Sequence, residues 1–191
     1  FKSSATFLLQ KHLKDIHSCA MRHSLLLLLI LPFSILAQQI DPQNSKVSFE
    51  VSNLLVNEVK GSFNGLTGHI HWGDSTGSAQ LDICLEAATV NTGNPKRDAH
   101  LRQSDFFHVE RFPKICFRSS KISERFDGGY AVLGILSMNG FERQMEIPIY
   151  RNEETVIAEF SIDRLGFDLG EEYGRFTIGQ EVKVFVRITL R

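Results

Sequence analysis

The chain has 191 residues and a formal net charge of −1, with 23% charged and 42% hydrophobic residues. That suits one globular domain and is neither a disordered nor a fibrous composition. The near balance of charge argues against a nucleic-acid binder, which carries a clustered basic footprint, and 15 Phe against one Trp and three Tyr point to a dry interior.

The first Met is Met21. Arg22 and His23 follow it, then the apolar run Leu25–Leu31, then Pro32 to Ala37. This is the pattern of a secretory signal peptide, with cleavage expected after Ala37. The run is shorter than the ~20 apolar residues of a membrane-spanning helix. Residues 1–20 read as translated or non-native sequence upstream of the leader, 21–37 as the signal peptide, and 38–191 as one domain. Removing residues 1–37 takes away four of the 21 Lys and Arg and one of the 22 Asp and Glu, leaving a net charge of −4. The mature protein is therefore expected to be mildly acidic and periplasmic or secreted.

From residue 38 onward, apolar residues recur with period two, the signature of strands with one buried face. Val47, Phe49 and Val51 alternate with polar neighbours, as do Leu81, Ile83 and Leu85, Ile115 and Phe117, Met145, Ile147 and Ile149, and Val156, Ala158, Phe160 and Ile162. The clearest run is Val182, Val184, Val186, Ile188 and Leu190. Two further strands are expected around Ser62–Trp72 and Tyr130–Met138. Gly73–Gly77, Asp127-Gly128-Gly129 and Asn139-Gly140 supply the turns. About eight short antiparallel strands make an all-β sandwich or closed barrel, and an eight-stranded barrel is wide enough for one small ligand.

The stretch Asn91–Phe112 breaks this alternation. Asn94 followed by Pro95 is an N-cap and first-turn pair that starts a short helix, and Ser104-Asp105 is a candidate start for a second turn carrying Phe106 and Phe107. This insertion is expected to cover one end of the barrel.

The residues Asn91–Phe117 read NTGNPKRDAHLRQSDFFHVERFPKICF. They resemble the signature of the YceI-like family in their TGN-x-KRD-x-HLR, DFF and P-x-I-x-F elements. Asp41-Pro42 with Ser45, Val47 and Phe49, then Gly61, Phe63 and Gly68, then Asp163-Arg164 with Phe167 and Gly179 to Val182, fit the same pattern from about Ile40 to Arg191. The resemblance implies an extended, antiparallel, lipocalin-like barrel of eight strands with a short helical insertion. It also implies an exported protein, often a homodimer, that holds a polyisoprenoid or another long-chain amphiphile in its lumen. Two positions depart from the pattern: Asn53 stands where the family often has His, and His108 where it often has an acidic residue.

The lumen is assigned to Phe49, Val51, Asn53, Phe63, Phe106, Phe107, Phe117, Leu136, Met138, Phe160 and Ile162, with Leu81 and Ile83 in the same apolar set. For any one of these residues a plain core role is the simpler reading. Collectively they would bury an apolar chain at ~25 cal/mol per Å². Arg97, Asp98 and His100 are the head-group candidates, because cations meet an oxygen-rich head and a carboxylate orients them. The competing reading is a solvated helix face paired at i,i+4. His69 and His71 share one strand face but lack the third and fourth ligands of a zinc site, so no metal or other cofactor is assigned. HExxH, P-loop and GxGxxG motifs are absent, and no enzymatic role is expected.

Cys84 and Cys116 are a candidate disulfide. Alternation turns both outward, but only one of several registers sets them opposite each other, and two free thiols remain the alternative. The leading function is an exported lipid-binding or carrier protein. The alternative is a secreted stress-response or interaction module whose barrel is filled by its own side chains.

Overall fold

Period-two alternation becomes strand along most of the chain from Gln38 onward. The computed structural model describes residues 38–54, 57–72 and 79–191; the leader assigned to residues 21–37 and the segment before it lie outside them, as does the turn at Gly73–Gly77. Ten strands form one antiparallel sheet: β1 Gln38–Gln39, β2 Lys46–Asn53, β3 Asn57–Phe63, β4 Thr67–His71, β5 Gln80–Glu86, β6 Lys114–Glu124, β7 Tyr130–Met138, β8 Phe141–Arg151, β9 Thr155–Asp163 and β10 Ile178–Thr189. The fold class is as expected, but the strand count is ten rather than eight. The single strand expected around Ser62–Trp72 is two, because the chain turns at Asn64-Gly65-Leu66, where Gly65 has φ 73°. The two-residue β1 carries no alternation to read.

The strand order is β1-β4-β5-β6-β7-β8-β9-β10-β2-β3. The sheet curls until its ends approach. Gln38 and Gln39 pair with β4, while the next residue, Ile40, bridges Leu190 just beyond β10. At the other edge, Ser62 and Asn91 exchange two backbone hydrogen bonds of 2.8 and 3.0 Å. Register shifts between Ser119 and Lys121, and between Ile178 and Val182, are bulges of the kind that bend a strand.

Helix α1 spans Pro95–Leu101, with the Asn94 side chain accepting from the backbone N–H of Lys96 and Arg97. Asn94 and Pro95 thus act as the expected N-cap and first-turn pair. Ser104-Asp105 starts a turn that carries Phe106 and Phe107, as expected, without a second helix, and the chain runs on in turns to Phe112. A 3-10 turn, Arg164–Phe167, follows β9. Under this cap Phe106, Leu136, Met138, Phe167 and Leu169 form a small buried cluster beside the main core.

Candidate functional site: an apolar lumen with a polar mouth

Inward-facing positions of the curled sheet surround a cavity of about 390 Å³, within the ~300–1,000 Å³ of small-molecule sites. Its wall runs along β10 from Ile178 to Ile188 and along β2 from Val47 to Asn53. The lining is apolar along both strands, which suits an apolar guest.

Phe49, Val51, Asn53, Phe63, Phe106, Phe107, Phe117, Leu136, Met138, Phe160 and Ile162 all lie on this wall, with Leu81 and Ile83. Phe49, Phe63 and Phe107 form a chain of ring contacts, with centroids 5.5 and 5.3 Å apart. Two glycines make room for the rings. Phe49 pairs with Gly61 across β2 and β3, and its ring occupies the space a Cβ on Gly61 would need. The Phe117 ring does the same at Gly134, where an added Cβ would meet its Cζ at 2.5 Å. Both rings therefore lie against the neighbouring strand, leaving the middle of the lumen open.

Polarity gathers at the capped end. Arg97 and His100 reach the wall from α1 together with Leu101, at i, i+3 and i+4 of one helix face. Asn53, Arg164, Tyr173 and Thr177 meet them from the other side. His100 Nε2 lies 2.5 Å from Asp105 Oδ2 and 3.3 Å from the Tyr173 hydroxyl. The Tyr173 ring stacks on Phe106 at 5.5 Å. These contacts tie the helix to the segment that precedes β10. Burial raises the Tyr173 pKa above the usual phenol value, helped by the negative charge of Asp105.

Asp98 does not line the cavity itself; it holds Thr92, which in turn holds Arg97. It is buried, and its Oδ1 accepts from the backbone N–H of Thr92 at 2.8 Å and the Thr92 hydroxyl at 2.5 Å. The capped first turn folds Thr92 back over the helix, and this is what claims the carboxylate. Those hydrogen bonds, with the nearby charges of Arg102 and Arg97, hold the Asp98 pKa below the ordinary carboxylate value. Arg97 donates Nε to Thr92 Oγ1 and Nη2 to the Thr92 carbonyl, so it is a fixed, partly engaged cation on the wall. Of the two departures from the family pattern, Asn53 lines the cavity and His108 does not.

Arg164, which sequence reasoning did not single out, organises the mouth. It is 3% exposed. Its five N–H groups donate to five carbonyls, those of Gly179, Leu169, Gly170, Tyr173 and Ile178. Burial lowers its pKa from the usual guanidinium value, and Asp163 opposes that shift. Its only signal in the sequence was its place directly after a strand, in the Asp163-Arg164 pair.

On the outer face, Cys84 and Cys116 stand directly opposite each other on β5 and β6 and form a disulfide, with Cα atoms 4.1 Å apart. Of the two alternatives the structure has the disulfide and not two free thiols: the one register that aligns the sulfurs is the one adopted. The bond lies between two cross-strand ion pairs, Asp82–Arg118 at 3.2 Å and Glu86–Lys114 at 3.8 Å. His69 faces Asp82 across β4 and β5. Among the described residues no group of three or more His, Cys, Asp and Glu is placed to hold a metal, and no helix is long and apolar enough to cross a membrane.

A curled antiparallel sheet around a long apolar lumen, capped by a short helical insertion, defines a lipocalin-like barrel. The YceI-like domain matches residues 38–190, and the chain belongs to that family. Relatives include UPF0312 proteins of Yersinia pestis, 29% identical over 106 residues, and of Yersinia enterocolitica, 27% identical over 106 residues. In both cases the match covers 55% of this chain and 55% of the relative, so the chain spans about half the length of the curated relatives it matches. Solved structures share the fold. BcnA of Burkholderia cenocepacia superposes with a TM-score of 0.72 at 20% identity, over 78% of this chain and 98% of that one. A polyisoprenoid-binding domain from Saccharophagus degradans gives 0.62 at 17% identity, over 82% and 98%. The Campylobacter jejuni YceI protein gives 0.63 at 20%, over 71% and 86%.

Proposed function

We propose that this protein is an exported carrier that holds a single long-chain amphiphile, such as a polyisoprenoid, in its lumen, with the polar end at the mouth beside Arg97 and His100. The observation that carries the reading is the open apolar cavity, about 390 Å³ in volume and walled along its length by inward-facing strand residues. Burying a chain there requires no catalytic group and is driven by apolar area removed from water. The protein therefore acts by binding rather than by catalysis. The polyisoprenoid-binding domain of Saccharophagus degradans, which shares the fold, supports the ligand class. Export is supported by the leader pattern at residues 21–37 and by the Cys84–Cys116 disulfide, a bond that persists in oxidising compartments. The test is titration of the protein, freed of lipid, with the uncharged dye N-phenyl-1-naphthylamine. The reading predicts saturable fluorescence enhancement at one dye per chain, reversed by a long-chain alcohol. A dye signal no greater than that of a barrel without a lumen would overturn it.

A further inference from the structure

Among the described residues, five of the 17 Lys and Arg lie within 4 Å of a carboxylate: Lys60, Lys114, Arg118, Arg125 and Arg191. Arg97, Arg102 and Arg164 each donate to neutral oxygens: Arg97 to Thr92, Arg102 to the carbonyls of Ala88 and Val90, and Arg164 to its five carbonyls. Among the described residues, none of the three has a carboxylate oxygen within 4 Å.

The cavity wall shows the same bias. It carries Arg97, His100 and Arg164, and among the described residues that line it there is no Asp or Glu. This is a positively biased pocket end in a chain whose overall charge is slightly negative. Buried cations are normally matched by an anion. Here neutral hydrogen-bond acceptors fix the guanidinium groups in place, and Asp98 and Asp163 offset only part of their charge from outside the cavity wall. Arg97 is the one positioned to touch a guest. Thr92 holds its Nε and Nη2, while Nη1 makes no hydrogen bond among the described residues. Arg164 is fully engaged and acts through its field alone. Asp98 neutralises part of this charge from behind the helix, and Asp105 is taken up by His100.

We infer that the lumen selects amphiphiles with an anionic oxygen head, a carboxylate or a phosphate, over neutral amphiphiles of the same chain, with Arg97 Nη1 as the donor to that head. This rests on the carrier reading and specifies the chemical class of its ligand. Charge-assisted hydrogen bonds in a water-poor site are about twice as strong as neutral ones, so the preference is expected to be about tenfold or more.

The test is displacement of bound N-phenyl-1-naphthylamine at pH 8 by two matched pairs: oleate against oleyl alcohol, and farnesyl phosphate against farnesol. The inference predicts that the anionic member of at least one pair displaces the dye at about tenfold lower concentration. The pair with the larger ratio identifies the head as carboxylate or phosphate. In Arg97→Gln the anion-to-alcohol ratio should fall towards unity, and Arg97→Lys should restore part of it. If the wild-type protein takes both members of both pairs equally, the inference is overturned and the carrier reading stands. If the wild-type protein takes up no dye, the carrier reading fails and the inference falls with it. The wild-type comparison decides the matter even if an Arg97 variant does not fold.

Discussion

Reducing the Cys84–Cys116 bond should lower stability substantially without opening the lumen. The bond closes a loop of 32 residues that contains all of α1 and its following turns. In the chain-entropy account, that closure removes ~3.7 kcal/mol of unfolded-state freedom at 25 °C. The folded state loses little, because β5 and β6 remain paired from Asp82–Arg118 to Glu86–Lys114. Nor can the flanking ion pairs substitute: Arg118 and Lys114 are 77% and 55% exposed, and such pairs contribute only ~0–1 kcal/mol. With a urea m-value of ~2 kcal/mol/M, the unfolding midpoint of reduced protein should fall by roughly 1.9 M. Cys84→Ser with Cys116→Ser should fall equally, and reductant should then have no further effect. Dye uptake below the transition should persist: Cys84 and Cys116 also border the cavity, but the apolar lining beside them, Ile83, Leu85, Ile115 and Phe117, stays paired in the same register. Equal midpoints with and without reductant would refute the entropic argument. Two titratable thiols in unfolded, unreduced mature protein, which lacks Cys19, would refute the bond itself.

Arg164→Met should leave five carbonyls without their donor and destabilise the fold by roughly 3–5 kcal/mol, with limited proteolysis cutting first between Leu169 and Ile178. Gly61→Ala should force the Phe49 ring inward, costing ~1–3 kcal/mol and weakening dye uptake; adding Phe49→Leu should recover the uptake. Asp98→Asn should lower Tm at pH 7. The folded pKa of Asp98 is depressed, so its contribution is present above the ~3.9 of a free Asp and is lost as pH falls through the lower folded value. Thermal melts of wild type and variant should therefore differ at neutral pH and begin to converge only as pH falls below about 4.

Alternation located the strand-borne part of the lumen, because a strand's side-chain period of two is a local property, whereas Phe106 and Phe107 lie in the insertion that breaks it. Phe49, Val51 and Asn53 share a face whichever strand lies beside them. What depends on pairing was not readable. Cys84 faces Cys116 only through a register set across a connection that holds a helix, and a shift of one residue on either strand would have separated the sulfurs. Asp98 sits in a seven-residue helix, too short for a clear periodic pattern, and its partner is fixed by how Thr92 folds over its first turn. The carbonyls that hold Arg164 come from five residues between Leu169 and Gly179, in and around a segment without repeating pattern. The apolar wall was thus visible residue by residue, while the charge at its mouth emerged only from tertiary contacts.

Native mass spectrometry of the full-length expressed protein, isolated from its own cells without detergent and compared before and after organic extraction, tests the carrier reading most directly. The account predicts one adduct per chain, lost on extraction and recovered in the organic phase as a single class of long-chain amphiphile. A bare chain mass before extraction, with an organic phase empty of such molecules, would contradict it.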